Sequence, residues 1–365
     1  MPSQINSLLA STILRLRHEF WNQSTKNLVP KTWGNLTESA HRAVVTVVIP
    51  TRGCSWALSE NGGCSVCGYV NDSSRDKSIP SEQIITKIKN LLNQVNPNKL
   101  IELKLFNSGS FFDERDVPRN LRIEIINLVE KNPNIFQLSV ESRPGFILNN
   151  LSIVKDTKKL LERIPLEIGI GLESSNNAIL RDCWNKGSTF EEYVRSVKTL
   201  RSLGVLIKSY ILIKPPFLTE VEAINDAMST AFDAINVGTD VLSFNPCTVQ
   251  NGTLVHHLQN KNRYQPPWLW SILFIIKAIR QKYPDIDIIC EPVAAGKQRG
   301  PHNCGKCDKK VLDLINKVLI NEQIPEDLSG ICACFLIWQF LISTPIEVFR
   351  TRDQSKLRLL NPLEE

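Results

Sequence analysis

Val44-Val45-Thr46-Val47-Val48-Ile49-Pro50 runs directly into Thr51-Arg52-Gly53-Cys54-Ser55-Trp56-Ala57-Leu58-Ser59-Glu60-Asn61-Gly62-Gly63-Cys64-Ser65-Val66-Cys67, a strand-like run followed by a loop with three cysteines. The run is apolar almost throughout, which is how a strand reads when a parallel sheet buries it on both faces. Five further runs share that character, at Leu100–Phe106, Ile135–Glu141, Leu166–Leu172, Val205–Ile213 and Asp240–Pro246. Helices are predicted between them at Ser81–Val95, Pro118–Lys131, Ile153–Arg163, Thr189–Leu203 and Thr219–Ile235. Pro80 and Ser81 suit a helix start, Pro118 suits a first turn, and Gly204 follows a last turn. Six βα units at roughly 30–55-residue spacing predict an α/β fold of barrel-like or doubly wound form. In either form the active residues belong at the C-terminal ends of the strands. The loops expected there are Thr51–Cys67, Asn107–Asp113, Glu141–Pro144, Glu173–Asn177, Lys214–Phe217 and Asn245–Thr248. All carry small, polar or ligand-type residues, which points to one shared site.

The 365 residues are 42% hydrophobic and 22% charged, which excludes wholesale disorder and a fibrous repeat. The longest apolar stretches, Trp268–Ile279 and Cys334–Ser343, fall short of the about 20 residues that a membrane-spanning helix needs. Arg15, Arg17 and Glu19 interrupt the first apolar stretch and no small-residue cleavage site follows it. The N terminus therefore reads as an amphipathic helix and not as a signal peptide, and the expected location is the cytoplasm, with no membrane partner. Three regions are expected: an N-terminal helical extension over 1–40, a barrel over 41–255 and a small module over 256–365. The last of these holds Pro266-Pro267, a helical segment Trp268–Gln281, a short strand Ile286–Cys290, a helix pair and the polar tail Asp353–Glu365.

In a reducing compartment, clustered cysteines are more often metal or cluster ligands than disulfides. Seven of the ten cysteines fall in two groups, Cys54, Cys64, Cys67 and Cys304, Cys307, Cys332, Cys334. Cys183, Cys247 and Cys290 are scattered and read as small buried hydrophobes. Three thiolates on one glycine-rich loop cannot complete a tetrahedral zinc site alone. They can hold three irons of a 4Fe-4S cluster and leave the fourth iron open for a small molecule. The alternative is a zinc site with its fourth ligand elsewhere.

A three-cysteine loop after the first strand of six βα units resembles the radical S-adenosylmethionine (SAM) superfamily, which implies a partial (β/α)6 barrel. Nine residues separate Cys54 from Cys64, a longer gap than the superfamily's commonest pattern, and similar to the subgroup containing the Elongator catalytic subunit. Asn107-Ser108-Gly109-Ser110-Phe111-Phe112-Asp113 lies where the superfamily holds the methionine amino group. Val140-Glu141-Ser142-Arg143-Pro144 and Gly171-Leu172-Glu173-Ser174 also resemble that subgroup. From Trp33 to Trp338 the chain is similar to the radical SAM subunit family of archaeosine synthase. That likeness is carried by Pro50-Thr51-Arg52-Gly53-Cys54, Lys186-Gly187, Lys214-Pro215-Pro216-Phe217, Asn245-Pro246-Cys247-Thr248-Val249-Gln250 and Gly300-Pro301-His302-Asn303-Cys304-Gly305-Lys306-Cys307-Asp308.

The resemblance implies a 4Fe-4S cluster on Cys54, Cys64 and Cys67 as the catalytic centre, with SAM on its open iron. Backbone amides at Ser108, Gly109 and Ser110 then meet the amino-acid end of SAM. Arg143 pairs its carboxylate, and Glu141 and Glu173 accept from ribose hydroxyls or the ammonium. It further implies a tRNA substrate, a partner subunit that adds lysine to 7-cyano-7-deazaguanine, and an electron donor. The radical subunit would break the lysine C–N bond to give archaeosine. Lys208, Lys214 and Arg299 are the expected contacts for the substrate's carboxylate and phosphates. The alternatives are another radical SAM reaction on RNA or a small molecule, or a metal-stabilised RNA-binding protein without radical chemistry.

Cys304-Gly-Lys-Cys307 and Cys332-Ala-Cys334 supply four thiolates that two knuckles, joined by a helix at Leu312–Asn321, can close around one structural zinc. A second iron–sulfur cluster and unliganded core cysteines stay open as alternatives, as does replacement of one ligand by His302 or Cys290. The apolar setting of Cys334-Phe-Leu-Ile-Trp338 favours packing for Cys334. Lys297, Arg299, Lys306, Lys309 and Lys310 face one acid, Asp308, in sequence. They read as a solvated face or as a phosphate-contacting patch; the net charge of +6 permits an anionic partner without demanding one.

Overall fold

The computed structural model describes residues 6–23, 32–73 and 80–344; the tail Asp353–Glu365 lies outside them. One eight-stranded sheet organises the chain. Its strands are β1 (Trp33–Glu38), β2 (Arg42–Ile49), β3 (Leu100–Asn107), β4 (Ile135–Ser142), β5 (Leu166–Glu173), β6 (Leu206–Ile213), β7 (Val241–Pro246) and β8 (Asp287–Cys290). They neighbour one another in sequence order. That order excludes the doubly wound alternative, which needs a point where the order reverses. β2 to β8 run parallel and β1 pairs antiparallel with β2, Trp33 opposite Val48.

The six expected strands are β2 to β7, and the helices Ser81–Leu92, Arg119–Lys131, Leu151–Leu160, Phe190–Ser202 and Glu220–Val237 cross between them. Thr189 with Glu192, and Thr219 with Glu222, form reciprocal capping boxes that fix where two of these helices begin. The outward face of the sheet is apolar. Val45, Val47 and Ile49 of β2, Ile168 and Ile170 of β5 and Ile207 and Ile211 of β6 are buried in one continuous core beneath the helices.

The opposite face differs from the expectation of strands apolar on both sides. Side chains alternate across a strand, and the alternate residues here are polar or small. Ser139 of β4, Glu167, Gly169, Gly171 and Glu173 of β5, and Lys208 and Tyr210 of β6 share this face. The sheet is curled around a polar lumen, which is space for a ligand and not a second core. Gly169 has a packing reason, since a Cβ there would lie 2.8 Å from the Tyr210 ring.

The N-terminal helix Ser7–Gln23 lies over the three-cysteine loop and buries Leu9, Ala10, Ile13, Leu16 and Arg17. After β7 the helix Leu269–Lys282 packs beside Glu220–Val237, and β8 extends the sheet. Helices Asp308–Leu319 and Cys334–Ser343 then cover that end, with Val311, Ile315 and Trp338 in the same core as the barrel strands. No helix among the described residues is long and apolar enough to cross a membrane.

Candidate cofactor site and cysteine centre

The loop Thr51–Cys67 leaves β2 at its C-terminal end, where Thr51 Oγ1 donates to the Ser108 carbonyl (3.1 Å) and accepts from the Gly53 amide (3.2 Å). Cys54 opens a tight turn in which its carbonyl accepts from the amides of Ala57 and Leu58. The chain then doubles back over this turn at Gly63 (φ 82°), where a Cβ would stand 2.7 Å from the Ala57 Cα. Only glycine permits that approach.

Three other segments hold the loop. After β5, the Asn185 amide donates to the carbonyls of Asn61 and Gly63, both at 2.8 Å. Ser65 donates to the Cys183 carbonyl at 2.7 Å, and Trp56 Nε1 to the Asn185 carbonyl at 2.8 Å. After β7, Gln250 accepts from the Gly68 amide and the Leu254 amide donates to the Ser65 carbonyl. From the N-terminal helix, Arg17 Nη2 donates to the Cys67 carbonyl at 3.2 Å.

Burial pushes the Cys64 thiol up to about 12, with Cys67, Cys54 and Glu173 adding and Lys186 opposing; burial also pushes Cys67 up. Such thiols stay protonated until a metal displaces the protons. Among the described residues Cys54, Cys64 and Cys67 are not part of any group whose donor atoms all lie within 4.8 Å of one another. Ligands to separate irons of a cluster stand wider than ligands to one ion. A cleft of about 320 Å³ opens beside Cys54 and Cys64, lined also by Trp56, Arg143, Phe146 and Lys186.

The residues expected to meet SAM gather on the same rim. Gly109 (φ 151°) lies over Asp116, and the hydroxyls of Ser110 and Ser142 bond each other at 2.7 Å in the interior. Ser110 thus has only its backbone to offer. Arg143 Nη2 donates to Ser55 Oγ at 2.8 Å, beside Cys54, and its guanidinium lies 4.8 Å from the Phe146 ring centre. Glu173 sits in the left-handed region (φ 67°) and pairs with Lys186 at 2.5 Å. Gly171 leaves room for that pair, since a Cβ would fall 2.7 Å from both heads.

Several buried polar atoms here have no protein partner: both side-chain atoms of Asn107, Asp116 Oδ2, Arg143 Nε and Glu173 Oε2. Buried polar groups in folded proteins are nearly always satisfied. A polar ligand in the lumen accounts for these, so the residues present fit SAM and a cluster.

Glu141 gives the site a pH dependence. Its carboxyl is pushed up from 4.5 to about 7 by burial, with Glu173 adding and Tyr210, Lys208 and the Asn107 backbone opposing. Between those values the folded chain holds a proton that the unfolded chain has released. The group's contribution to stability is therefore full below its unfolded value of 4.5 and lost as pH rises through about 7. In denaturant titrations of metal-free protein, Glu141→Gln should gain stability relative to wild type between about pH 5 and pH 8. A difference that stays flat across that interval would show the carboxyl to be solvated.

Two of the three expected substrate contacts are taken up by internal partners. Lys208 is buried and ion-paired with Glu167, with Ser139 beside it, and Lys214 is buried against Glu220 at 2.5 Å. Both heads are committed to internal carboxylates, which leaves them no reach to a tRNA phosphate. Arg299 is exposed, and its carbonyl accepts from the Val249 amide at 2.7 Å. The basic segment is thereby strapped to the loop after β7 that also holds Gly68 and Ser65.

The four C-terminal cysteines converge. Sγ separations are 3.9 Å for Cys304–Cys307 and 3.5 Å for both Cys304–Cys332 and Cys307–Cys334, and all four sulfurs lie within 4.8 Å of one another. A regular tetrahedron of Zn–S bonds near 2.3 Å has edges of about 3.8 Å. Neither alternative ligand joins the group. His302 Nδ1 bonds the Gly300 carbonyl, and Cys290 is buried at the end of β8. Cys334 also accepts from Trp270 Nε1 at 3.4 Å, so packing and metal binding are compatible there.

Residues without an expected role also line the site. Lys186 and Tyr210 face the lumen, and Arg17 reaches the loop from outside the barrel. Arg17 left one sequence signal, a charge on the stripe Leu9–Ile13–Leu16 that the helix buries.

No family model matches the chain. It is 34% identical over 321 residues to the archaeosine synthase subunit beta of Methanosarcina acetivorans, covering 86% of this chain and 90% of that protein. Against the archaeosine synthase subunit beta of Thermococcus kodakarensis it is 30% identical over 301 residues, 81% of this chain and 90% of that one. Among solved structures, the archaeal Methanocaldococcus infernus Elp3 with an N-terminal deletion superposes with a TM-score of 0.52 at 15% identity. That match covers 80% of this chain and 65% of the other. The fold is the radical SAM partial barrel, with a C-terminal group of four cysteines able to bind a metal.

Proposed function

The chain belongs to the archaeosine synthase subunit beta family and is a radical SAM enzyme, and from that premise we propose that its substrate is tRNA and its product archaeosine. In this reading a partner subunit has joined lysine through its side-chain amine to 7-cyano-7-deazaguanine. This chain then breaks the lysine C–N bond and leaves the amidine. The reaction takes place in the cytoplasm and draws its electron from a separate donor protein. The observation that carries the reading is the rim, where three half-buried thiols on one loop adjoin buried polar atoms of Asn107, Asp116, Arg143 and Glu173 that lack protein partners.

Cys54, Cys64 and Cys67 would hold a 4Fe-4S cluster, which would supply the electron for reductive cleavage of SAM. The chain's own residues place the reactants. Arg143, beside Ser55, takes the methionine carboxylate. Asn107 and the backbone of Ser108–Ser110 take its amino end, and Glu141 and Glu173 hold ribose hydroxyls. Tyr210 and Lys186 keep those two carboxylates in place. The hydrogen would be taken from the lysine-derived carbon next to nitrogen. Arg299, Lys297, Lys306, Lys309 and Lys310 are exposed and offer the polyanion a basic edge. The four C-terminal sulfurs hold one zinc as a structural site.

Arg143→Leu should keep the cluster and weaken SAM binding roughly 10- to 150-fold, the loss of a charged hydrogen-bond partner worth about 1.5–3 kcal/mol. Equilibrium binding to the reconstituted variant measures it, and an unchanged affinity would move Arg143 out of the SAM site. The function itself is tested anaerobically. Reconstituted protein should yield 5′-deoxyadenosine on reduction, and tRNA from a strain lacking the gene should lose archaeosine and accumulate the lysine adduct. An RNA-binding protein without radical chemistry gives no 5′-deoxyadenosine, and a different radical SAM enzyme leaves archaeosine intact.

A further inference from the structure

We propose that Arg17 is a built-in counter-charge for the three-cysteine site, a buried cation that raises the reduction potential of the cluster held there. The inference rests on reading Cys54, Cys64 and Cys67 as cluster ligands. The helix Ser7–Gln23 carries Arg17 on its buried stripe, beside Leu9, Ile13 and Leu16, and the residue is 0% exposed. Nη2 donates to the Cys67 carbonyl at 3.2 Å, whereas Nε and Nη1 are buried with no protein partner. The ionisable groups that act on its charge are Cys67, Cys64 and Cys54, in that order.

A guanidinium cannot shed its proton, and leaving one buried without a counter-charge is strongly unfavourable. The arrangement makes sense if negative charge arrives with the cluster. Three thiolates outweigh the positive charge of a four-iron core, and reduction adds one more electron to that excess. A fixed cation in a low-dielectric setting therefore favours the reduced form over the oxidised one. The two free N–H groups also suit sulfur acceptors. The helix sits close on the loop, where a Cβ on Gly62 would lie 2.7 Å from the Leu14 amide nitrogen and push the two apart. Trp21 Nε1 fixes the far end by donating to Asn71 at 2.8 Å.

The test is an anaerobic redox titration of reconstituted full-length protein, wild type against Arg17→Met, Arg17→Gln and Arg17→Lys, followed by absorbance and paramagnetic resonance. Cys64→Ala serves as the blank for iron bound at other sites. At the wild-type midpoint, the ratio of reduced to oxidised cluster should fall about tenfold in the Met and Gln variants, a shift of 59 mV for one electron. Arg17→Lys should recover most of it. Ratios within about twofold of wild type in both neutral variants overturn the proposal. So does a Gln variant that behaves as wild type while Lys does not, the pattern of a peg for the Cys67 carbonyl. Should the Met variant take up no iron, loading becomes the readout. Loading by Lys but not Gln supports the proposal, and equal loading by both or by neither overturns it. A wild-type chain that binds no iron on this loop defeats the cluster reading as well, whereas a loaded but unshifted cluster defeats this proposal alone.

Discussion

Alanine in place of Cys54, Cys64 or Cys67 should each give a folded protein that lacks the brown iron–sulfur absorbance and yields 5′-deoxyadenosine only at the level of a metal-free control. All three thiolates are needed, because a cluster with one open iron has three left to anchor. Among the described residues these three thiols are not part of a group of donors gathered as around a single ion. The fold should survive the change. The loop is held by Asn185, Trp56, Ser65 and Gln250, none of which uses a cysteine sulfur. Melting temperatures of the metal-free variants should therefore match that of metal-free wild type. Iron content, visible absorbance and 5′-deoxyadenosine yield are the measurements. Full cluster and full turnover in any one variant would remove that cysteine from the site.

The parallel strands were legible in the sequence because one face of each packs under helices and must be apolar whatever the chemistry. The rim loops were legible for a related reason, since loops between buried strands are short and ligand-type residues stand out in them. β1 was not, because Trp33–Glu38 is a short edge strand, largely exposed, with a polar composition. Lys208 shows a second limit. Sequence gives its charge, but its partner Glu167 is on the neighbouring strand, where Gly169 stands opposite Lys208. Parity across the sheet turns both inward. Lys214 has its partner six residues on, across the turn that starts the next helix, and at φ 66° its own backbone bends toward it. Arg17 is the opposite case. Its charge interrupts a buried stripe, and the strand-derived picture of the barrel had no place for a residue outside it. The four C-terminal cysteines were readable because knuckle spacing is local, even though Cys304 meets Cys332 across 28 residues.

Cys307→Ser should remove one tightly bound metal and unfold the end of the chain around it, with a lower melting temperature and weakened tRNA binding. Three of the sulfur pairs stand 3.5–3.9 Å apart, close to the edges of a zinc tetrahedron. Binding at such sites is on the order of 10–16 kcal/mol, and it is folding energy. The effect reaches into the barrel wall along a defined chain of contacts. Trp270 Nε1 bonds Cys334 Sγ at 3.4 Å, Trp338 Nε1 donates to Ser271 at 2.9 Å, and Ser271 donates to Glu220 at 2.5 Å. Glu220 in turn holds Lys214 at 2.5 Å, next to the lumen. The three-cysteine loop takes its supports from other residues, so uncoupled 5′-deoxyadenosine formation should persist. Lys306, Lys309 and Lys310 flank the metal knuckle and are exposed. Losing their placement should reduce the salt dependence of tRNA binding by roughly one unit of slope per lost phosphate contact. Zinc content, melting temperature and tRNA affinity at two salt concentrations decide the matter. Wild-type affinity and slope in a metal-free variant that has lost this structure would show that tRNA is held elsewhere.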